Sequence, residues 1–471
     1  MDAKKILKEI FGYDEFRTNQ EEIITHILKE EGSKGTLVIM PTGGGKSLTF
    51  QIPSIMGEGL SLVISPLISL MKDQVDTLKS KGVKAELLNS NLTAEETKEV
   101  LRKVYKDEVN ILYVAPERFK NKLFKQVIAT KSIDLLSVDE AHCISSWGAN
   151  FRPSYAKIGG FIKQLKPKKV VALTATANPK VRNDIKESLG IPLAKVFCGG
   201  FNREDLHIEI EKGLTEFQAT NLILEYYDPS NDSSCGIVYT ATRKEAETIC
   251  GHLKKYSVPA YFYHAGLETK RRNTIQSDWM KNGGIIVSTN AFGMGIDKPD
   301  VRFVINYGIP NSIEEWYQEI GRGSRDGKGC QCILIDNGDK TRNFLLQMEF
   351  PSENDIYYFG CWLYGHRLKD TLKMTQEKMA KDAGIGKYFA GGCVRYFMRK
   401  GALQKIKNGL YKVLDVKNPK DIDLQEYKKE KWLKYEELKE LRRFVDSKRD
   451  KMEQFCEYFG QPIHKKTRKT K

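Results

Sequence analysis

Residues 36–53 read "TLVIMPTGGGKSLTFQIP". An apolar run, a glycine-rich turn and a segment of helical period follow one another, which predicts strand, loop and helix. Successive glycines let backbone N–H groups turn towards one point, and the N-terminus of the following helix adds partial positive charge. Thr42, Gly43, Gly44 and Gly45 are therefore a candidate cradle for phosphate. In such a loop Lys46 reaches the outer phosphates of a nucleoside triphosphate, and Ser47 offers its hydroxyl to Mg²⁺. Met40 stands where the strict G-x-x-x-x-G-K-[ST] pattern has its first glycine. A glycine-rich turn that merely precedes Lys-Ser is the alternative, and the flanking strand and helix weigh against it.

About ninety residues on, Asp139 and Glu140 follow the apolar run "IDLLSV". They fall at the carboxyl end of a predicted strand, where parallel sheets bind ligands. Asp139 is a candidate Mg²⁺ ligand and Glu140 a candidate for orienting the attacking water. Alone, such a pair is often just acidic residues at a helix start; the earlier glycine loop gives it meaning. Thr174 and Thr176 end the next strand and either relay phosphate status or satisfy loop backbone. Much later comes "QEIGRGSRDG", where Arg322 and Arg325 share one side of a helical turn. A guanidinium keeps its charge and forks onto phosphoryl oxygens, so these arginines either complete the site from a second domain or form a surface pair.

Outward from these motifs, residues 35 to 200 alternate apolar runs with helical patterns, as does a second series from "CGIVYT" to "QCILID". That alternation predicts parallel sheets covered by helices. The chain reads as an α/β protein of two such domains, 1–205 and 206–345, followed by two smaller segments. Residues 350–415 suggest helix, helix and a hairpin turning at Asn408-Gly409, a winged-helix-like nucleic-acid-binding module. Gly391 and Gly392 would weaken its second helix. Residues 420–471 read as a helical segment, with Leu438, Leu441, Val445, Met452, Phe455 and Phe459 at helical spacing, and a basic tail. "DPSNDSS" reads as a surface loop.

At 471 residues, 40% hydrophobic and 29% charged, the composition is globular, and its formal net charge of +15 suits a polyanionic partner or simply a basic solvated surface. No run approaches the about 18 apolar residues of a membrane span. The N-terminus "MDAKKILKEIFGY" carries no apolar signal core, which implies a cytoplasmic or nuclear protein. Nine cysteines are scattered without a CxxC pair, so no zinc is expected.

In order along residues 5 to 345, the motifs resemble those of helicase superfamily two, and within it the RecQ family of DNA helicases. They are "FGYDEFRTNQEEII", "MPTGGGKS", "SPLISLMKDQV", "YVAPER", "DEAHCIS", "LTATA", "GIVYTATRKEAE", "YHAGL", "STNAFGMGIDKPDVRFVI" and "QEIGRGSRDG". The resemblance implies two RecA-like motor domains and an ATP- and Mg²⁺-dependent enzyme moving 3′ to 5′ on single-stranded DNA. It implies that Arg17 and Gln20 recognise adenine, and that Asp297, Gln318, Arg322 and Arg325 serve the nucleotide. Candidates to touch DNA are Ser65, Pro66, Leu67, Arg118, Arg243, Thr289 and Ala291, each of which could instead pack at a strand end. In the loop after the acids, Trp147, Phe151 and Arg152 are placed to stack on bases and meet phosphate, with His142 as a relay to the acids or a locally packed ring. Single-stranded and tailed duplex DNA are the implied partners, with single-strand-binding or repair proteins beside them, for a monomer.

The chain also departs from the family. Ser146 and Ala149-Asn150 replace the usual Gln and His-Asp of the aromatic loop, and Gly323-Ser324 replaces Ala-Gly. "FVDSKRDKMEQFCEYFGQ" resembles the helix that normally carries the first zinc cysteine, with Lys448 in its place. Packing around Leu441, Phe455 and Phe459 is expected to brace this zinc-free version. Tyr411, near the hairpin tip, either stacks on a terminal base pair or packs on its own sheet. Two rival functions are an RNA helicase of the same superfamily and an ATP-switched DNA clamp.

Overall fold

The computed structural model describes residues 2–17, 19–29, 35–41, 43–145, 152, 154–228, 235–293 and 298–461. Two compact units emerge: the chain up to Asp336 together with the segment from Ser447, and Asn337–Asp446.

The first unit holds two parallel sheets. One comprises β1 (Thr36–Ile39), β2 (Leu60–Ile64), β3 (Ala85–Leu88), β4 (Ile111–Val114), β5 (Ile133–Val138), β6 (Lys169–Thr174) and β7 (Lys195–Cys198), in the order β3-β4-β2-β5-β6-β1-β7. The other comprises β8 (Leu206–Lys212), β9 (Cys235–Thr240), β10 (Ala260–Tyr263), β11 (Gly284–Ser288), β12 (Phe303–Tyr307) and β13 (Cys330–Asp336), in the order β10-β11-β9-β12-β13-β8. Strands buried on both faces must be apolar throughout, and β1, β2 and β4 are buried at every residue. Val38, Phe50, Val63, Met71 and Leu135 meet in the first core, and Val238, Ile249, Ile285, Phe303 and Ile333 in the second. Each such side chain contributes about 1.5–3 kcal/mol on burial.

The sequence patterns locate ten of these strands; β3, β7 and β8 are additional. All three lie at sheet edges, where one side is partly wet. Leu206–Lys212 accordingly alternates as "LHIEIEK" instead of running apolar.

The second unit contains helices Glu353–Gly365, Gln376–Ala383 and Ala390–Arg399, and a sheet of β14 (Thr371–Lys373), β15 (Leu403–Lys407) and β16 (Leu410–Val413) in the order β14-β16-β15. Helix, helix and hairpin are thus present. The helix Ala390–Arg399 runs through Gly391 and Gly392, and Gly392 permits a close approach: a Cβ there would sit 2.5 Å from the Met348 carbonyl oxygen and the Pro351 ring. The expected C-terminal segment is two helices that belong to different units. Gln425–Asp446, with Leu441, lies in the second unit, and Lys451–Tyr458 packs in the first. "DPSNDSS" lies largely outside the described residues. No helix among the described residues is long and apolar enough to cross a membrane.

Candidate nucleotide site and nucleic-acid face

The helix Lys46–Met56 starts directly from the glycine turn, with Gly43 at φ +80° and Gly45 at +77°. Gly45 carries two constraints, since an added Cβ would also lie 2.2 Å from Gln20 Nε2. Lys46 Nζ donates to the carbonyls of Met40 (2.9 Å) and Pro41 (3.3 Å). Burial lowers its pKa, opposed by the charges of Glu140 and Asp139, while Arg325 lowers it further. Ser47 Oγ accepts from Gln74 Nε2 at 3.1 Å, and Gln74 Oε1 accepts from the Tyr113 hydroxyl at 2.8 Å. Gln74 is a site residue that spacing alone did not single out.

Asp139 follows β5 and is 8% exposed. Burial and the neighbouring Glu140 charge push its pKa up. Burial also raises Glu140, but His142, Lys46 and Arg322 outweigh it and hold that carboxyl below its ordinary range. Glu140 adopts φ +48°, a costly conformation for a residue with a Cβ. Its Oε2 lies 3.2 Å from His142 Nδ1 as an ion pair without hydrogen-bond alignment, so this buried oxygen has no hydrogen-bond partner in the protein. Tyr155, which no motif marks, donates its hydroxyl to the Asp139 carbonyl at 3.1 Å.

The second sheet's domain supplies the opposite wall. Gln318 Nε2 donates to Thr176 Oγ1 at 2.7 Å. Arg325 passes close enough to the glycine turn that a Cβ on Gly43 would be 3.7 Å from its side chain. Arg322 is 7% exposed and its Nε is buried without a hydrogen-bond partner. A cleft of about 600 Å³ gathers Lys46, Ser47, Asp139, Glu140, Arg322 and Arg325, with Tyr13 and Arg17 also on its wall. The Arg322 Nε hydrogen and the Glu140 Oε2 oxygen, buried without hydrogen bonds from the protein, are groups that a triphosphate, its metal and an attacking water would satisfy.

Arg17 and Gln20 lie on the cleft wall and also hold the phosphate loop. Arg17 Nη1 donates to the Gly43 carbonyl at 2.6 Å, and Gln20 Nε2 to that of Gly45 at 3.0 Å. Gln20 Oε1 accepts from Arg17 N at 2.8 Å, so both residues brace the phosphate loop. Ser65 is 1% exposed and its hydroxyl donates to Asp139 Oδ2 at 3.5 Å, so the side chain is turned towards the acids of the cleft. Tyr411 is 2% exposed, with its hydroxyl accepting from Gln376 Nε2 at 3.3 Å. A ring so buried cannot stack on a base pair, so the packing alternative holds. Thr42, Trp147, Phe151 and Asp297 lie outside the described residues.

Pro66, Leu67, Arg118 and Arg152 follow strand ends or neighbour them in the first domain. Arg152 Nη1 donates to the Pro66 carbonyl at 2.8 Å, and Arg118 Nε to that of Asn89 at 2.7 Å. In the second domain Arg243 is exposed after β9, and Thr289 is half-buried after β11 beside Ala291, whose N–H donates to its Oγ1 at 3.4 Å.

Comparison with known proteins agrees with this architecture. Residues 17–185 match the DEAD/DEAH box helicase family, and residues 218–327 the helicase conserved C-terminal domain. The chain is 43% identical over 335 residues to the ATP-dependent DNA helicase RecQ of Bacillus subtilis, covering 71% of this chain and 56% of that protein. It is 39% identical over 358 residues to the probable ATP-dependent DNA helicase RecS of Bacillus subtilis, covering 75% of this chain and 71% of the relative. A solved structure of Mss116p bound to ssRNA and AMP-PNP aligns with a TM-score of 0.59 at 18% identity, over 85% of this chain and 92% of that one, a likeness of fold alone. The chain spans 52 to 56% of the length of three bacterial RecQ proteins. With identity at this level across both motor domains, the chain belongs to the RecQ family of DNA helicases.

Proposed function

We propose that the protein is an ATP- and Mg²⁺-dependent translocase that unwinds duplex DNA with 3′–5′ polarity, in repair, recombination or replication. The observation that carries this reading is the two-sided cleft: Lys46, Asp139 and Glu140 come from the first domain, and Gln318, Arg322 and Arg325 from the second. Arginines supplied across a cleft stabilise charge on a transferring phosphoryl group and make hydrolysis depend on domain closure. Ser47 and Asp139 would hold Mg²⁺, which when bound neutralises phosphate charge; Glu140 Oε2 would orient the attacking water. Arg17 and Tyr13 would border the base. Pro66, Leu67, Arg118, Arg152, Arg243 and Thr289 would touch the strand, and the aromatic pair Trp147 and Phe151 would couple its presence to the acids. Contacts of this kind to phosphate position a strand without reading its sequence. Polarity rests on the family. Single-stranded and tailed duplex DNA are the proposed partners, with single-strand-binding or repair proteins as protein contacts.

Strand separation of 3′-tailed and 5′-tailed DNA duplexes, with ATP and with a non-hydrolysable analogue, tests the reading. Unwinding of the 3′-tailed DNA with ATP alone is expected. Equal unwinding of both tails would overturn the polarity, preference for a matched RNA duplex would overturn the substrate, and unwinding with the analogue would overturn the motor.

A further inference from the structure

The helix Lys451–Tyr458 follows the second unit in sequence yet packs among residues of both motor domains. Phe455 meets Trp316 and Tyr317 of the second domain at ring distances of 5.3 and 5.1 Å. Phe459 stacks on Phe201, in the segment joining the domains, at 4.5 Å, and its carbonyl accepts from Arg182 of the first. Gln461 Oε1 accepts from the Phe201 N–H at 2.8 Å. Apolar packing of this sort needs no hydrogen bond at its edge, and one is present.

Tyr458 donates its hydroxyl to Glu314 Oε1 at 2.5 Å and accepts from Asn178 Nδ2 at 3.0 Å, while the same Nδ2 donates to Glu314 Oε1 at 3.2 Å. The three groups form a tight triangle: the Asn178 amide is shared between the two oxygens, and the hydroxyl donates to the carboxylate and accepts from the amide. Asn178 belongs to the first motor domain, where its Oδ1 also caps the helix Pro179–Leu189 by accepting from Val181 N at 3.0 Å. Glu314 belongs to the second, in the helix Ile313–Ile320. Two residues before Asn178 is Thr176, and one helical turn after Glu314 is Gln318, the pair already joined at 2.7 Å beside the nucleotide cleft. The two cross-domain bonds therefore run in series along the same two segments, and the second leads directly to Arg322.

We infer that Tyr458 is a positioning residue for nucleotide hydrolysis: by locking Asn178 to Glu314 it holds the Ile313–Ile320 helix in the register that aims Gln318 and Arg322 into the cleft. Effective hydrolysis depends on placing such groups to within a fraction of an ångström, and an error of about 1 Å costs about a hundredfold. The inference rests on the proposed ATP hydrolysis.

Tyr458→Phe in the full chain removes one oxygen and keeps the ring on Phe459. DNA-stimulated ATP hydrolysis is expected to lose about five- to tenfold in kcat, with KM for ATP and the affinity for a fluorescent ATP analogue unchanged. Glu314→Ala should do the same, and the double variant should be no worse than either single one. Wild-type kcat in Tyr458→Phe, additive losses in the double variant, or a loss carried by KM would each overturn the positioning role alone. Absence of hydrolysis in the wild-type protein would overturn the proposed function, and this inference with it.

Discussion

His142 Nδ1 lies 2.9 Å from Thr174 Oγ1, and that hydroxyl donates in turn to the Thr176 carbonyl at 3.0 Å. Because the threonine's hydrogen is committed, the imidazole must be the donor in this pair. Burial opposes charge on the ring, but Cys143 and the Glu140 carboxylate outweigh it and push its pKa up to about 10. His142 thus links Glu140 to the segment whose Thr176 meets Gln318. His142→Ala should lower kcat for DNA-stimulated hydrolysis about tenfold, or ~1.4 kcal/mol in the barrier, and leave KM for ATP unchanged. Steady-state hydrolysis at saturating single-stranded DNA checks it.

Ser324 is a second test of local chemistry. It adopts φ +50°, where the family's glycine is unstrained. Its Oγ accepts from Gly329 N at 2.8 Å and bonds the Asp205 carboxylate. Strain of about 1 kcal/mol and a hydrogen bond of about 1 kcal/mol nearly cancel. Ser324→Gly should leave stability within about 1 kcal/mol of wild type, whereas Ser324→Ala keeps the strain, loses the bonds and should cost ~1–2 kcal/mol. Chemical denaturation of the two variants side by side decides it, and Ala equal to Gly would refute the compensation.

How far the sequence spoke for itself varied with locality. Strands β1, β2, β4, β5 and β6 are largely apolar runs because both faces are covered, so they are legible; the edge strands β3, β7 and β8 are not, while the aromatic edge strand β10 is. The glycine turn and the acids are local motifs and stand where expected. Gln74, Tyr155 and Asn178 act through partners 16 to 280 residues away, and no local pattern encodes such pairings. Tyr411 is different: in Leu410-Tyr411-Lys412-Val413 the alternation puts Tyr411 and Val413 on one face, and Val413 is buried too. Strand period alone points that ring inward.

Stability should depend on pH through Asp134. Partial burial raises this carboxyl's pKa, but Lys168, paired at 2.7 Å, and the Gly59 N–H at 2.5 Å hold it below its ordinary 3.8. A depressed acid stabilises the fold above its unfolded pKa and loses that contribution as pH falls through the lower folded value. Asp134→Asn should therefore cost about 1 kcal/mol at neutral pH, after allowing for solvent around the exposed Lys168. The two proteins should converge once pH has fallen through the depressed folded pKa of Asp134. Unfolding midpoints across acid pH measure this, and a constant difference would exclude Asp134 as the source.

With Tyr411 buried, Ile406 is an apolar side chain that the hairpin does offer to solvent. It is 53% exposed, and the pairing of β15 with β16 shifts register between Lys405 and Lys407, leaving Ile406 as the extra residue. A bulge re-aims a side chain out of the regular pleat, here an apolar one between two lysines, next to the Asn408-Gly409 turn. The lysines suit phosphates, and the aliphatic group suits the face of an unpaired base. Ile406→Ala should slow unwinding of a 3′-tailed duplex about three- to tenfold while hydrolysis stimulated by single-stranded DNA stays at the wild-type rate, since no duplex has to open in that assay. Tyr411→Phe, which removes only a buried hydroxyl, should leave both rates unchanged. If Ile406→Ala unwinds as fast as wild type, the hairpin's exposed apolar residue has no part in strand separation; if both rates fall together, its role lies in strand binding and not in opening the duplex.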